Sequence, residues 1–122
     1  MSNKKKTLVL GASDNPSRYS YLAIKKLRNN QHPVEAIGKF ETKVDDVNII
    51  KEKTPFNDID TVTLYLNPAH QRDYYDYIVS LHPKRIIFNP GAENDELAEL
   101  AKRNNIQPVE ACTLVMLSTG QY

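Results

Sequence analysis

Apolar and polar positions alternate along this chain in two distinct ways, and the places where the pattern changes mark the predicted elements. Thr7-Leu8-Val9-Leu10 is an unbroken run closed by Gly11, the pattern of a strand buried on both faces. Turn-forming residues fill Ala12 to Ser17. From about Arg18 to Asn30, Ser20, Ala23, Ile24 and Leu27 recur at helical spacing. Asn29-Asn30-Gln31-His32-Pro33 ends that helix, and Val34-Glu35-Ala36-Ile37-Gly38 reads as a second strand. Residues Lys39 to Asn57 follow neither period well; a short edge strand around Asn48-Ile49-Ile50 is the most that the pattern supports there.

The second half is more regular. Asp60 to Leu66 is rich in β-formers and stops at Asn67-Pro68, with Pro68 suited to the first turn of a helix. Tyr74, Tyr75, Ile78 and Leu81 then fall on one helical face until His82-Pro83 interrupts it. Arg85-Ile86-Ile87-Phe88 predicts a strand ending at Asn89-Pro90-Gly91. A helix follows over Glu93 to Asn104, with Leu97, Leu100 and Ala101 inward. A last strand spans Gln107 to Glu110, and Cys112 to Leu117 forms a helical turn. Strands separated by helices of about ten residues or more pair in parallel through right-handed crossovers. The expected fold is therefore a three-layer, doubly wound (Rossmann-like) α/β domain spanning residues 1–122. Its open parallel sheet has about five strands, with the first strand central.

The chain has 122 residues, 40% of them apolar and 25% charged, which fits one globular domain and argues against intrinsic disorder. Sixteen Lys and Arg against fifteen Asp and Glu leave a formal charge of +1. Such a balance gives no global field to attract nucleic acid or an anionic membrane, so any anion must be held locally. The single cysteine, Cys112, excludes an internal disulfide and a thiolate cluster. Lys4-Lys5-Lys6 reads as a solvated tail. The run that follows it is too short for a secretory signal or a membrane span, so a cytoplasmic location is expected.

In such a sheet, ligands bind beyond the carboxyl ends of the strands, where strand order reverses. Gly11, Gly38 and Gly91, three of the four glycines, fall just past predicted strands. The loop Gly11-Ala12-Ser13-Asp14-Asn15-Pro16-Ser17-Arg18 joins a buried strand to a helix N-terminus, where free amides and the helix dipole favour an anion. Ser13 and Ser17 add hydroxyls, and Arg18 adds a guanidinium that matches phosphate. By contrast, Glu93, Asp95 and Glu96 load the start of the later helix with negative charge. The loop is no dinucleotide fingerprint, since Ser13 and Pro16 stand where two of its glycines belong, and no Walker lysine follows. Lys39, where NAD enzymes carry an acid, suits a phosphorylated ribose as found in CoA or NADP.

The opening Leu8-Val9-Leu10-Gly11-Ala12-Ser13-Asp14-Asn15-Pro16-Ser17-Arg18-Tyr19-Ser20 resembles that of the small bacterial CoA-binding proteins, whose domain is similar to the CoA-binding domain of the succinyl-CoA synthetase α subunit. Asn67-Pro68, Gly91-Ala92-Glu93-Asn94 and Pro108-Val109-Glu110-Ala111-Cys112 extend the resemblance in order along the chain. It implies that Gly11, Ala12, Ser13, Pro16 and Arg18 shape the phosphate side of a CoA pocket, that Lys39, Asn67 and Pro68 flank the nucleotide, and that Gly91 borders the site. One departure is local: the family usually has Asn-Pro after its second strand, where this chain has Gly38-Lys39.

The reading favours a stand-alone, non-catalytic module holding CoA or an acyl-CoA. In the related ligases, the phosphorylated histidine and the ATP-handling parts lie outside this domain. Of the three histidines, His32 and His82 precede prolines in loops, and only His70 sits near the expected crevice. Cys112 reads as a buried thiol. Two alternatives remain open: an NADP-binding component of an oxidoreductase, and a family scaffold without its ligand. A partner protein or a second copy of the chain also remains open. No residue is assigned to catalysis or to a metal.

Overall fold

Leu8, Val9 and Leu10 are all fully buried, because successive residues of strand β1 (Thr7–Ala12) face opposite layers of the molecule. The computed structural model describes residues 4–122. β1 lies in the middle of a seven-stranded sheet. The other strands are β2 (Val34–Gly38), β3 (Thr42–Val44), β4 (Val47–Ile50), β5 (Thr61–Leu64), β6 (Arg85–Phe88) and β7 (Gln107–Glu110), in the order β3-β4-β2-β1-β5-β6-β7. All pairs are parallel except β3 with β4.

The strand count differs from the expected five, because Lys39 to Asn57 builds a hairpin rather than one edge strand. Val44 pairs with Val47 across the two-residue turn Asp45-Asp46, and Asp45 adopts a left-handed φ of 52°. Such turns favour Asp, Asn and Gly. β4 then pairs with β2 through Ala36–Ile49 and Ile37–Ile50, so Asn48 to Ile50 lies inside the sheet and β3 forms the edge. The hairpin tip is tied to helix α1 (Tyr19–Asn29): Lys25 reaches Asp45 at 3.2 Å, and Arg28 grips both carboxylate oxygens of Asp46 at 2.8–3.2 Å.

The remaining helices are α2 (Pro68–Gln71), α3 (Tyr75–Leu81), α4 (Asp95–Arg103) and α5 (Thr113–Ser118), with a 3₁₀ turn at Arg72–Tyr74 dividing the expected single helix into α2 and α3. One face of the sheet presents Leu8, Leu10, Val62, Leu64 and Ile86 to Ile78 of α3 and Leu97 and Ala101 of α4. The other presents Val9, Ala36 and Ile49 to Ile24 and Leu27 of α1, with Leu117 of α5 packed alongside. Each fully buried aliphatic side chain contributes roughly 1.5–3 kcal/mol. The lysine run is not a free tail: Lys6 donates to the carbonyl of Asn57 at 2.8 Å, while Met1 to Asn3 lie outside the described residues. No described helix is long and apolar enough to cross a membrane.

Candidate functional site

The chain leaves β1 through α1 toward β2 on one side and leaves β5 through α2 and α3 toward β6 on the other. Strand order therefore reverses between β1 and β5, and a cleft of about 710 Å³ opens at their carboxyl ends. That volume is of the order of small-molecule sites, roughly 300–1,000 Å³.

Two glycines set its floor. Gly11 is the extra residue of a bulge between Leu10 and Ala12 and has a φ of +86°. A Cβ there would lie 2.8 Å from the Tyr65 carbonyl, so the close approach of β1 and β5 at the cleft requires glycine. At Gly38 a Cβ would come within 2.3 Å of the Ala12 carbonyl oxygen. The glycine at this position therefore lets the end of β2 close against the first loop.

The loop between β1 and α1 satisfies its own polar side chains. Asn15 Oδ1 accepts from the Ser17 amide at 3.0 Å and the Ser17 hydroxyl at 2.8 Å, and Ser13 Oγ accepts from the Asn15 amide at 3.0 Å. Ser17 is thereby committed to the loop, whereas the Ser13 hydroxyl finds no acceptor among the described residues. Asp14 accepts from the Thr42 hydroxyl at 2.7 Å, which pins the loop to β3. The first bond of α1 runs from the Leu22 amide to the Arg18 carbonyl at 3.3 Å, so the amides of Tyr19, Ser20 and Tyr21 lie ahead of it. No side chain caps this helix, and its first turn holds no acid.

The start of α4 is the opposite case. Asn94 Oδ1 takes the Leu97 amide at 3.2 Å, Asp95 and Glu96 occupy the first turn, and Glu93 accepts from the Gly91 amide at 2.9 Å. Of these two helix starts, it is α1 that is electrostatically ready for an anion. Arg18 and Lys39 border it, and among the described residues neither side chain has an ion-pair or hydrogen-bond partner.

Of the residues singled out from the sequence, Gly11, Ala12, Ser13, Arg18, Lys39, Asn67 and Gly91 line this cleft. Pro16 and Pro68 do not: Pro16 lies in the exposed turn before α1, and Pro68 is the first residue of α2. Asn67 caps α2, its Oδ1 accepting from the His70 amide at 3.0 Å. His70 is exposed at the rim, and Cys112 is half-buried rather than buried, preceding α5.

Other contributors carried no sequence signal. Gln71 is fully buried, and its Nε2 donates to the carbonyls of Leu66 at 2.8 Å and Ala92 at 2.7 Å, while its Oε1 accepts from Asn94. It joins the loops after β5 and β6 that wall the cleft. Tyr65 also lines it; its hydroxyl is buried without a hydrogen bond, and burial pushes the phenol up to about 12, so it stays protonated. Tyr19 and Phe40 line the mouth as exposed aromatics.

Comparison with known proteins places these features in context. Residues 5–118 match a family described as CoA binding domain. No curated protein sequence matches the chain. A crystal structure of an uncharacterized protein is 48% identical, with a TM-score of 0.96 over 99% of this chain and 100% of that one. A hypothetical protein from Pyrococcus horikoshii OT3 shares 21% identity and a TM-score of 0.85 over 96% of this chain and 84% of its own. A dinucleotide forming acetyl-coenzyme A synthetase from Ca. Korarchaeum cryptofilum, in complex with phosphate and ADP, matches at 15% identity and a TM-score of 0.73, covering 88% of this chain and 26% of that one. The last two likenesses concern the fold.

Proposed function

This chain belongs to the family of CoA-binding domains, and from that premise we propose that its cleft holds coenzyme A, free or acylated, as a binding module that performs no chemistry of its own. The observation that carries the reading is the contrast between the two helix starts: α1 is uncapped, free of acids and flanked by the unpartnered Arg18 and Lys39, while the α4 start is filled by Asp95, Glu96 and Glu93. The fit to the ligand follows from its charges. The pyrophosphate lies at the α1 start, taking hydrogen bonds from the Ser13 hydroxyl, the first-turn amides and Arg18. The ribose phosphate then falls toward Lys39, past the end of β2. The pantetheine arm runs across the ends of β1 and β5 toward Asn67 and Gly91. A binding role without catalysis accords with His70, which is exposed and, among the described residues, has no carboxylate paired with its ring.

Thermal denaturation tests the reading. A ligand at about one hundred times its Kd stabilises the native state by about 2.7 kcal/mol. For a chain of this size, that is a rise in Tm of roughly 8–16 °C, at about 3–6 °C per kcal/mol. CoA is expected to give the largest shift, NADP less and NAD least. A shift with NADP and none with CoA would replace this reading with a dinucleotide-binding role.

A further inference from the structure

Phe40 is 76% exposed, the most exposed large apolar side chain among the described residues, although it borders a cleft rather than a featureless surface. It sits in the bend Lys39-Phe40-Glu41 between β2 and β3. Both ends of that bend are fixed. Gly38 is pressed against the Ala12 carbonyl, and Thr42 donates to Asp14 in the first loop at 2.7 Å. The ring is therefore presented from an anchored three-residue segment, next to the unpartnered Lys39. An aromatic ring left in water beside a cation on the wall of an anion-binding cleft has the two components of a nucleotide platform: a π-face for the base and a charge for the phosphate on its sugar.

We propose that Phe40 is the stacking platform for the adenine ring of the bound nucleotide. The inference rests on the CoA reading of the cleft and assigns its base-recognition residue. Stacking on Phe40 covers the exposed ring, places the adenosine ribose beside Lys39, and leaves the pyrophosphate to reach Arg18 and the start of α1. Tyr19 is the other exposed aromatic of the cleft, at 71%. It immediately follows Arg18, on the pyrophosphate side, and so is not placed for the base.

Calorimetric titration of wild type, Phe40→Ala, Phe40→Trp and Tyr19→Ala with CoA, adenosine 3′,5′-bisphosphate and 4′-phosphopantetheine separates the possibilities. Base–aromatic stacking changes affinity by roughly 5- to 150-fold per base. Phe40→Ala is expected to weaken CoA and adenosine 3′,5′-bisphosphate by a factor in that range and to leave 4′-phosphopantetheine unchanged. Phe40→Trp keeps or improves nucleotide affinity, and its indole emission, the only tryptophan signal in a chain without native Trp, is quenched as the base stacks. An unchanged CoA affinity in Phe40→Ala, an equal loss for 4′-phosphopantetheine, or a loss carried by Tyr19→Ala instead would overturn the assignment while leaving the cleft reading intact. Failure of wild type to bind CoA and adenosine 3′,5′-bisphosphate would remove the cleft reading itself. All three substitutions lie at exposed positions, so melting temperatures close to wild type confirm that affinity rather than folding is being read.

Discussion

Arg18 and Lys39 border the cleft as cations that, among the described residues, have no carboxylate partner, and the proposed complex uses them differently. Arg18 stands at the start of α1, where in the proposed complex its guanidinium and the helix amides would act on the same phosphate oxygens. Charge-assisted hydrogen bonds contribute about 1.5–3 kcal/mol, so Arg18→Ala should weaken CoA binding by roughly 10- to 150-fold in calorimetric titration. Lys39 is exposed, and Lys39→Glu should leave folding within about 0.5 kcal/mol of wild type. In the proposed complex the reversal would replace attraction by repulsion at the ribose phosphate, so CoA should lose far more affinity than dephospho-CoA. The difference should shrink as salt rises, since an exposed contact is screened over about 10 Å at 0.1 M. Equal losses for the two ligands would detach Lys39 from that phosphate. Gly11, Ser13 and Arg18 were legible as residues of the cleft because a loop between a buried strand and a helix start has one dominant electrostatic use, and Lys39 because it follows the carboxyl end of β2. Gln71 and Phe40 were not. A buried glutamine looks like a surface residue until its two carbonyl partners, contributed by separate loops, are known. An exposed phenylalanine looks like core until the bend that holds it outward is known.

The main parallel strands and the helices between them followed from apolar runs and helical spacing, which depend on a few neighbouring residues. The hairpin of β3 and β4 did not, because its apolar positions are few and its position is set by Lys25 and Arg28 of α1 reaching Asp45 and Asp46. The 3₁₀ turn between α2 and α3 was equally invisible. Asn89 shows how a residue at a strand end serves the elements rather than the ligand. Its Nδ2 donates to Thr63 Oγ1 at 2.7 Å and to the Leu64 carbonyl at 2.9 Å, and its Oδ1 accepts from the Thr113 amide at 2.9 Å. β5, β6 and α5 are thus joined through one buried side chain. Asn89→Ala leaves several of these groups unpaired, and equilibrium urea denaturation should show a loss of about 2–4 kcal/mol. Hydrogen exchange gives the complementary picture: Leu8 to Leu10 in central β1 should open only with global unfolding, β4 should be intermediate, and edge strand β3 should exchange first. Fast exchange at Leu8 to Leu10 would contradict the topology.

Across the whole molecule, the two ends of the sheet divide the work. The carboxyl ends of the strands form the cleft, and the amino ends are closed by a cluster around Tyr122. The Tyr122 ring packs against His32 with centroids 4.9 Å apart and lies under the Arg85 guanidinium at 4.4 Å, and its hydroxyl hydrogen-bonds Thr7. His32 is buried, its Nδ1 accepts from the Lys5 amide at 2.9 Å, and its pKa is held below the ordinary imidazole value by burial and then by the charges of Lys4, Lys5 and Arg85, with Asp60 opposing weakly. The folded protein therefore keeps His32 neutral at a pH where the unfolded chain has already bound a proton. Unfolding takes up that proton, so the contribution of His32 to stability is fully present above about pH 6.5 and is lost as pH falls from there toward its folded-state pKa. His32→Gln retains an acceptor for the Lys5 amide and removes the titration. Denaturation curves between pH 8 and pH 5 should show wild type losing stability below pH 6.5 more steeply than the variant. Coenzyme A affinity, measured over the same range and corrected for the ligand's own phosphate titration, should be the same for both proteins, because the cluster lies at the opposite end of the strands from the cleft. Parallel stability curves would show that His32 titrates alike in both states; a variant with altered affinity would show that the two ends of the sheet are coupled.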